Sequence, residues 1–310
     1  MSDPTAEDAC RLTAAALATA AIGARRFTTG LQHFVYEVTL ADGRTTVIRM
    51  TRPAERAVAR NALRLSRQLR PLGVPLPEVL AADVEAEMPW MLLTRLPGVD
   101  LWEVVGSLPD ASLRAIAGGV AAAQTIAGST PSAGRYGFAP SPEAAPFASW
   151  AEVMVADLDR SRQRIAAAGL FDLREVERLD GIRMKLARDF DALPATPFLH
   201  DTTTKNVIVS DAGTLSGIVD VDDLCFGDPR FVAALITVAL RANGLREDYA
   251  TYLMAAAGWA DDHVFRFYVA AFLLDFMSEH GQRFNGNERP SSPEARNKLL
   301  GLYRQALADL

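Results

Sequence analysis

Apolar residues recur at two different spacings along this chain, and the change of spacing divides it. From residue 26 to residue 50 the period is two: one strand is predicted to end near Phe27, a second to cover residues 34–40 and a third residues 45–50, with Asp42-Gly43 as the turn between the last two. A helix is predicted over residues 54–69. The run WMLLTRL, residues 90–96, passes into Pro97-Gly98 and reads as a buried edge strand entering a connector. Beyond Gly98 helical spacing dominates, over residues 113–127, 146–168, 175–193, 231–241, 249–257, 263–280 and 294–310, with a loop rich in Gly, Pro and Ser over residues 128–146. This pattern predicts an α+β fold in two lobes. Residues 1–96 form a small antiparallel β-sheet lobe, residues 97–310 a large, mainly helical lobe, with a cleft between them.

Residues 12–24 are small and apolar enough to be mistaken for a signal-peptide core. Asp3, Glu7 and Asp8 precede a single Arg11, the reverse of a basic leader, so an amphipathic helix is expected there, and no run is long enough to span a bilayer. With 310 residues, 49% of them hydrophobic, the chain can bury a large core. A net charge of −6 argues against nucleic-acid binding, which needs basic surface, and suits a cationic or neutral small partner. Cys10 and Cys225 make no disulfide framework, so the cytoplasm is the expected compartment.

The densest chemistry lies in residues 199–229, LHDTTTKNVIVSDAGTLSGIVDVDDLCFGDP. An apolar run at residues 207–209, turn residues 210–213 and a second run at residues 215–221 predict a hairpin. Pairing centred near Gly213 sets Val207 against Val219 and Asn206 opposite Asp220, so that two oxygen donors share its open end. One amide and one carboxylate beside phosphates suit Mg²⁺, which keeps several waters. Asp201, on the loop leading in, is placed to accept the proton of an attacking hydroxyl. Asp220, Asp222 and Asp223 repel one another unless a cation or donor is near, which also favours a metal site. The plainer alternative makes Asp201, Asn206 and Asp220 ordinary turn residues with local hydrogen bonds.

This segment resembles the catalytic and metal-binding loops of the aminoglycoside phosphotransferase and choline kinase-like family, within the protein kinase-like fold. The family's pattern is H-G-D, four residues, N, a short hairpin, I-D-W-E and then G-D-P. The resemblance implies that Asp201 is the catalytic aspartate, that Asn206 and Asp220 hold the metal, and that Asp228 supports the catalytic loop. Leu199 stands where the family has histidine, with His200 beside it, and Val221 replaces the usual tryptophan. The resemblance covers residues 22–285 and implies ATP or GTP with Mg²⁺ as the nucleotide pair. It implies further that the loop around Gly30 covers the phosphates and that Arg49, in VIRM, meets them. The helix after it should supply a carboxylate to hold Arg49, with Glu55 or Asn61 near the required position. The Thr94 carbonyl and the Leu96 N–H are the implied adenine partners.

The expected activity is therefore ATP-dependent transfer of the γ-phosphate to a hydroxyl of an aminoglycoside-like or other small acceptor. Lys205, between Asp201 and Asn206, is placed to meet the γ-phosphate or a neighbouring acid. Candidate acceptor contacts are Asp222 and the pair Asp275 and Glu279, four residues apart on one helix face. Phe265, Phe272 and Phe276 read as core. A kinase acting on a choline-like, sugar or other metabolic hydroxyl, and a nucleotide-binding pseudokinase with a regulatory role, are the alternatives.

Overall fold

The computed structural model describes residues 3–27, 33–282 and 291–310. The chain opens on α1 (Ala6–Leu17), started by a capping box in which Thr5 Oγ1 accepts from the Asp8 N–H at 3.2 Å and the Asp8 carboxylate accepts from the Thr5 N–H at 3.0 Å. The helix stops at Ala18, which is left-handed with φ 50°. Residues 12–24 are thus not one helix: their second half is β1 (Ala21–Arg26), drawn into a sheet by pairing with β2 (Phe34–Leu40).

β3 (Thr45–Met50), β4 (Val79–Asp83) and β5 (Trp90–Thr94) complete an antiparallel sheet in the order β1-β2-β3-β5-β4. The strand expected at the edge, residues 90–96, is interior. β5 has β3 on one side and β4 on the other, which accounts for an apolar run with little alternation. A single turn of 3₁₀ helix at Pro53–Glu55 leads into α2 (Arg56–Leu69), whose Ala62 and Leu63 pack against Met91 of β5.

After the connector come β6 (Val99–Asp100), α3 (Leu101–Val104), α4 (Asp110–Gly128), β7 (Gly137–Ala139) and α5 (Trp150–Ala168). Then follow α6 (Arg174–Lys185), α7 (Ala187–Asp191), β8 (Thr196–Phe198), β9 (Val207–Val209), β10 (Leu215–Ile218) and β11 (Leu224–Gly227). The chain closes with α8 (Arg230–Ala242), α9 (Asp248–Ala257), α10 (His263–Ser278) and α11 (Pro293–Ala308). Two predicted elements are corrected. The helix expected over residues 146–168 begins only at Trp150, capped by Ser149, because Phe147 is held extended by its backbone bonds to Tyr136. The helix expected over residues 175–193 is two, α6 and α7, broken at Leu186.

The helical part is built round Trp150, whose indole N–H donates to the Tyr268 hydroxyl at 2.7 Å; that hydroxyl donates to Asp228 at 2.9 Å. Phe265, Phe272 and Phe276 belong to this core, as their pattern suggested. Two glycines seat the β9–β10 hairpin at the junction with the sheet. At Gly98, with φ 102°, a Cβ would stand 1.9 Å from the Val209 carbonyl oxygen, so only glycine lets the connector lie against β9. At Gly217 a Cβ would stand 2.4 Å from the Pro75 carbonyl, the same group that accepts from the Ile218 N–H at 2.8 Å. The antiparallel N-terminal sheet and the largely helical remainder make the α+β fold expected. Among the described residues no helix is long and apolar enough to cross a membrane.

Candidate active site

The loop carrying Asp201 leaves β8 at Phe198 and is held from behind by α4. Gln124 is buried, and its Oε1 accepts from the Leu199 N–H at 3.0 Å while its Nε2 donates to the Leu199 carbonyl at 2.9 Å and to Thr202 Oγ1 at 2.8 Å. From the front, His200 Nε2 donates to Asp223 Oδ1 at 2.5 Å, and the Phe138 ring stands edge-on to the imidazole at 4.8 Å. Burial pushes the His200 pKa down, but Asp223, Asp201 and Asp222 outweigh it and hold the group above its ordinary value. Leu199, where the resembled pattern has histidine, therefore does not leave the loop unsupported. Gln124 and His200 brace it, and neither was singled out for this from the sequence, where Gln124 is one polar residue in an alanine-rich helix.

The hairpin forms as expected but not in the expected register. Val209 pairs with Leu215, yet Ile208 pairs with Gly217 and Val207 with Ile218, so a bulge at Ser216 shifts the open end by one residue. Asn206 consequently faces Val219, whose N–H donates to the Asn206 carbonyl at 2.9 Å, and not Asp220. Asp220 lies one step further on and bends back through a left-handed conformation, φ 61°, which is costly for a residue other than glycine. Asn206 Nδ2 donates to the Asp201 carbonyl at 2.9 Å, which leaves its Oδ1 for another partner.

Asp201 and Asp220 line one shallow recess, together with Leu199, His200, Thr202, Val221 and Asp223. Burial, with the nearby Asp220 and Asp222 carboxylates adding to it, pushes the Asp201 carboxyl up to about 6, against the opposing pull of His200 and Asn206. A partly buried, electron-rich carboxylate of this kind is suited to accept a proton.

Arg49 enters from β3 and is nine-tenths buried. Its Nη2 donates to Asp222 Oδ2 at 2.6 Å and its Nη1 lies 3.3 Å from Asp220 Oδ1. His33 Nε2 donates to the same Asp222 oxygen at 3.0 Å. Burial raises the Asp222 pKa, but Arg49 and His33 more than reverse it, so the group sits below the usual carboxylate range. The carboxylate expected from the helix is not the one found. Among the described residues Arg49 pairs with Asp220 and Asp222, whereas Asn61 donates through Nδ2 to the Asp222 backbone carbonyl and Glu55 has no bond to Arg49. Arg49 Nε and His33 Nδ1 are buried without a partner among the described residues. His33, Asp220 and Asp222 bring three donor atoms within 4.8 Å of one another, but the guanidinium and the imidazole already hold the Asp222 carboxylate.

The remaining predicted residues lie apart from this cluster or outside what is described. Gly30 falls outside the described residues. Thr94 ends β5, its N–H donating to the Glu78 carbonyl at 2.9 Å, and the Leu96 side chain packs over Gly217, next to the hairpin. Lys205 is exposed, with Nζ 5.6 Å from the centre of the Trp102 ring. Asp275 faces α5, with its Oδ1 3.5 Å from Arg160 and 3.4 Å from Arg164 and Ser161, because α5 carries the cations that match it. Glu279 caps the end of α10. Asp228, expected behind the catalytic loop, instead joins Arg230 at 2.7 Å and Tyr268, tying α8 to α10.

No curated protein matched. Solved structures matched in fold over nearly the whole length. A thermostable mutant of aminoglycoside phosphotransferase APH(4)-Ia, in ternary complex with AMP-PNP and hygromycin B, is 18% identical and superposes with a TM-score of 0.67, covering 96% of this chain and 98% of that one. The streptomycin-ATP-APH(2")-IIa ternary complex is 13% identical, with a TM-score of 0.64 and coverage of 98% and 99%. ADP-bound APH(2'')-Ib is 14% identical, with a TM-score of 0.60 and coverage of 92% and 93%. These likenesses establish the protein kinase-like fold of such enzymes. The sequence profile of the phosphotransferase enzyme family matches residues 23–268, taking in Arg49, Asp201, Asn206 and Asp220, and the chain belongs to that family.

Proposed function

We propose that this protein is an ATP-dependent O-phosphotransferase that moves the γ-phosphate to a hydroxyl of a small acceptor, either aminoglycoside-like or another small metabolite. The observation that carries the reading is that Asp201 and Asp220 line one recess, with Asn206 bonded to the Asp201 main chain and the Arg49 guanidinium 3.3 Å from Asp220. Asp201 orients the acceptor hydroxyl and takes its proton, and its partly buried carboxylate is basic enough to do so. Arg49 meets the nucleotide's phosphates, and its unpartnered Nε, with the unpartnered His33 Nδ1, fits a site that awaits a polar ligand.

The donor set also fits Mg²⁺. Asn206 Oδ1 and the Asp220 carboxylate are hard oxygen ligands from the open end of the hairpin, and the amide's other end is already committed to Asp201. A bound Mg²⁺ would neutralise charge on the phosphates. Residues 1–96 are taken as the nucleotide-binding lobe, with Thr94 and Leu96 offering backbone groups to adenine, or to guanine if GTP is the donor. Residues 97–310 are taken as the catalytic and acceptor lobe. Both thiols are free, which agrees with a cytoplasmic location.

The test is ADP release with Mg·ATP across aminoglycosides, amino alcohols and sugars. Acceptor-dependent release supports the reading and names the acceptor class. ATP binding without release across the whole panel favours the regulatory pseudokinase instead.

A further inference from the structure

We propose that Asp222 positions Arg49 for the nucleotide's phosphates, filling the role for which a carboxylate on α2 was expected. This rests on the nucleotide-binding part of the function proposed above. A buried guanidinium needs an anionic partner, since an unpaired charge out of water is strongly disfavoured. On α2 the nearest candidate by sequence is Asn61, which cannot supply one, and its side chain is turned to the Asp222 backbone.

Three groups from the sheet side converge on this one residue of the hairpin. Arg49 Nη2 reaches its carboxylate at 2.6 Å, His33 Nε2 reaches it at 3.0 Å, and Asn61 Nδ2 holds its carbonyl. Arg49, His33 and Asn61 are each more than nine-tenths buried, at 6%, 4% and 7% exposed, so the arrangement is built in and is no chance surface pairing. It aims Nη1 at Asp220 and leaves Nε free, setting the guanidinium beside the proposed metal ligand. The same contacts argue against Asp222 as an acceptor contact or a metal ligand, because either partner would have to displace an arginine and an imidazole. Asp222 is thus a positioning residue. Asn61 acts one step further back, fixing the main chain that carries it.

The experiment is a calorimetric titration with Mg·AMP-PNP of the wild type, Arg49→Met, Asp222→Asn and the double variant. Each single substitution is expected to weaken binding by about tenfold or more, as for a buried charged pair losing one member. The double should lie within about threefold of the weaker single, because both changes remove one interaction. The Mg²⁺ concentration needed for half-maximal binding should be unchanged in Asp222→Asn. Asn61→Ala, which keeps every charge, guards against misfolding of the other variants and should weaken binding by roughly threefold with the same Mg²⁺ requirement. Losses that multiply in the double, wild-type affinity in Asp222→Asn, or a raised Mg²⁺ requirement each overturn the inference. Absence of nucleotide binding by the wild type would instead remove the function it rests on.

Discussion

Gln124 grips Leu199 by both of its backbone polar groups, accepting from the N–H at 3.0 Å and donating to the carbonyl at 2.9 Å. The chain two residues before Asp201 is thereby tied to α4 without any side chain of its own. Gln124→Met keeps the volume and leaves the buried Leu199 groups unpaired. It should lower unfolding free energy by roughly 2 kcal/mol in urea denaturation, the usual cost of unsatisfied buried polar groups. A loss below about 0.5 kcal/mol, typical of neutral surface changes, would show that the clamp contributes little.

Gly98 and Gly23 offer a matched pair. An Ala Cβ at position 98 meets the Val209 carbonyl at 1.9 Å and must also adopt φ 102°, whereas at position 23 nothing lies within 4 Å. Gly98→Ala should therefore destabilise by about 3 kcal/mol or more, and Gly23→Ala should stay within about 0.5 kcal/mol of wild type. Thermal melts of the two variants side by side check the difference. Similar melting temperatures would mean that the connector can move off β9 freely.

Asp157 supplies a dependence on pH. Burial, with Asp275 adding to it, raises its carboxyl to about 6 against the pull of Arg160. The folded group stays protonated where the unfolded one, with an ordinary value of 3.8, has already ionised. Its contribution to stability is thus lost as pH rises from about 4 to about 6 and is constant above that. Asp157→Asn should remove this slope. The variant's stability relative to wild type should rise by on the order of 2–3 kcal/mol between pH 4 and pH 7 in paired denaturation curves, since one pKa unit is worth 1.36 kcal/mol. A constant difference across that range contradicts the assignment.

Much of the fold was legible because local patterns and tertiary structure agree. Alternation over residues 34–50 gave β2 and β3 to the residue, and the apolar runs round Gly213 gave the hairpin. The register was off by one because Gly217, visible as a glycine inside the strand, marks a bulge whose cause is a contact with Pro75, distant in sequence. Arg49 could be placed from its strand and from the family pattern. Its partner could not, because Asp222 lies 173 residues away and replaces a carboxylate sought on the adjacent helix. Asp275 misled for a related reason: helical spacing showed an acidic face but not the arginines of α5 that neutralise it.

The central claim is that Asp201 takes the acceptor's proton while other residues bind the nucleotide, and Asp201→Asn tests it most directly. With the acceptor found in the panel, turnover should fall on the order of 10²–10⁴-fold, the range for loss of a general base, while calorimetric affinity for Mg·AMP-PNP stays within about twofold. A variant that turns over at the wild-type rate would contradict the account.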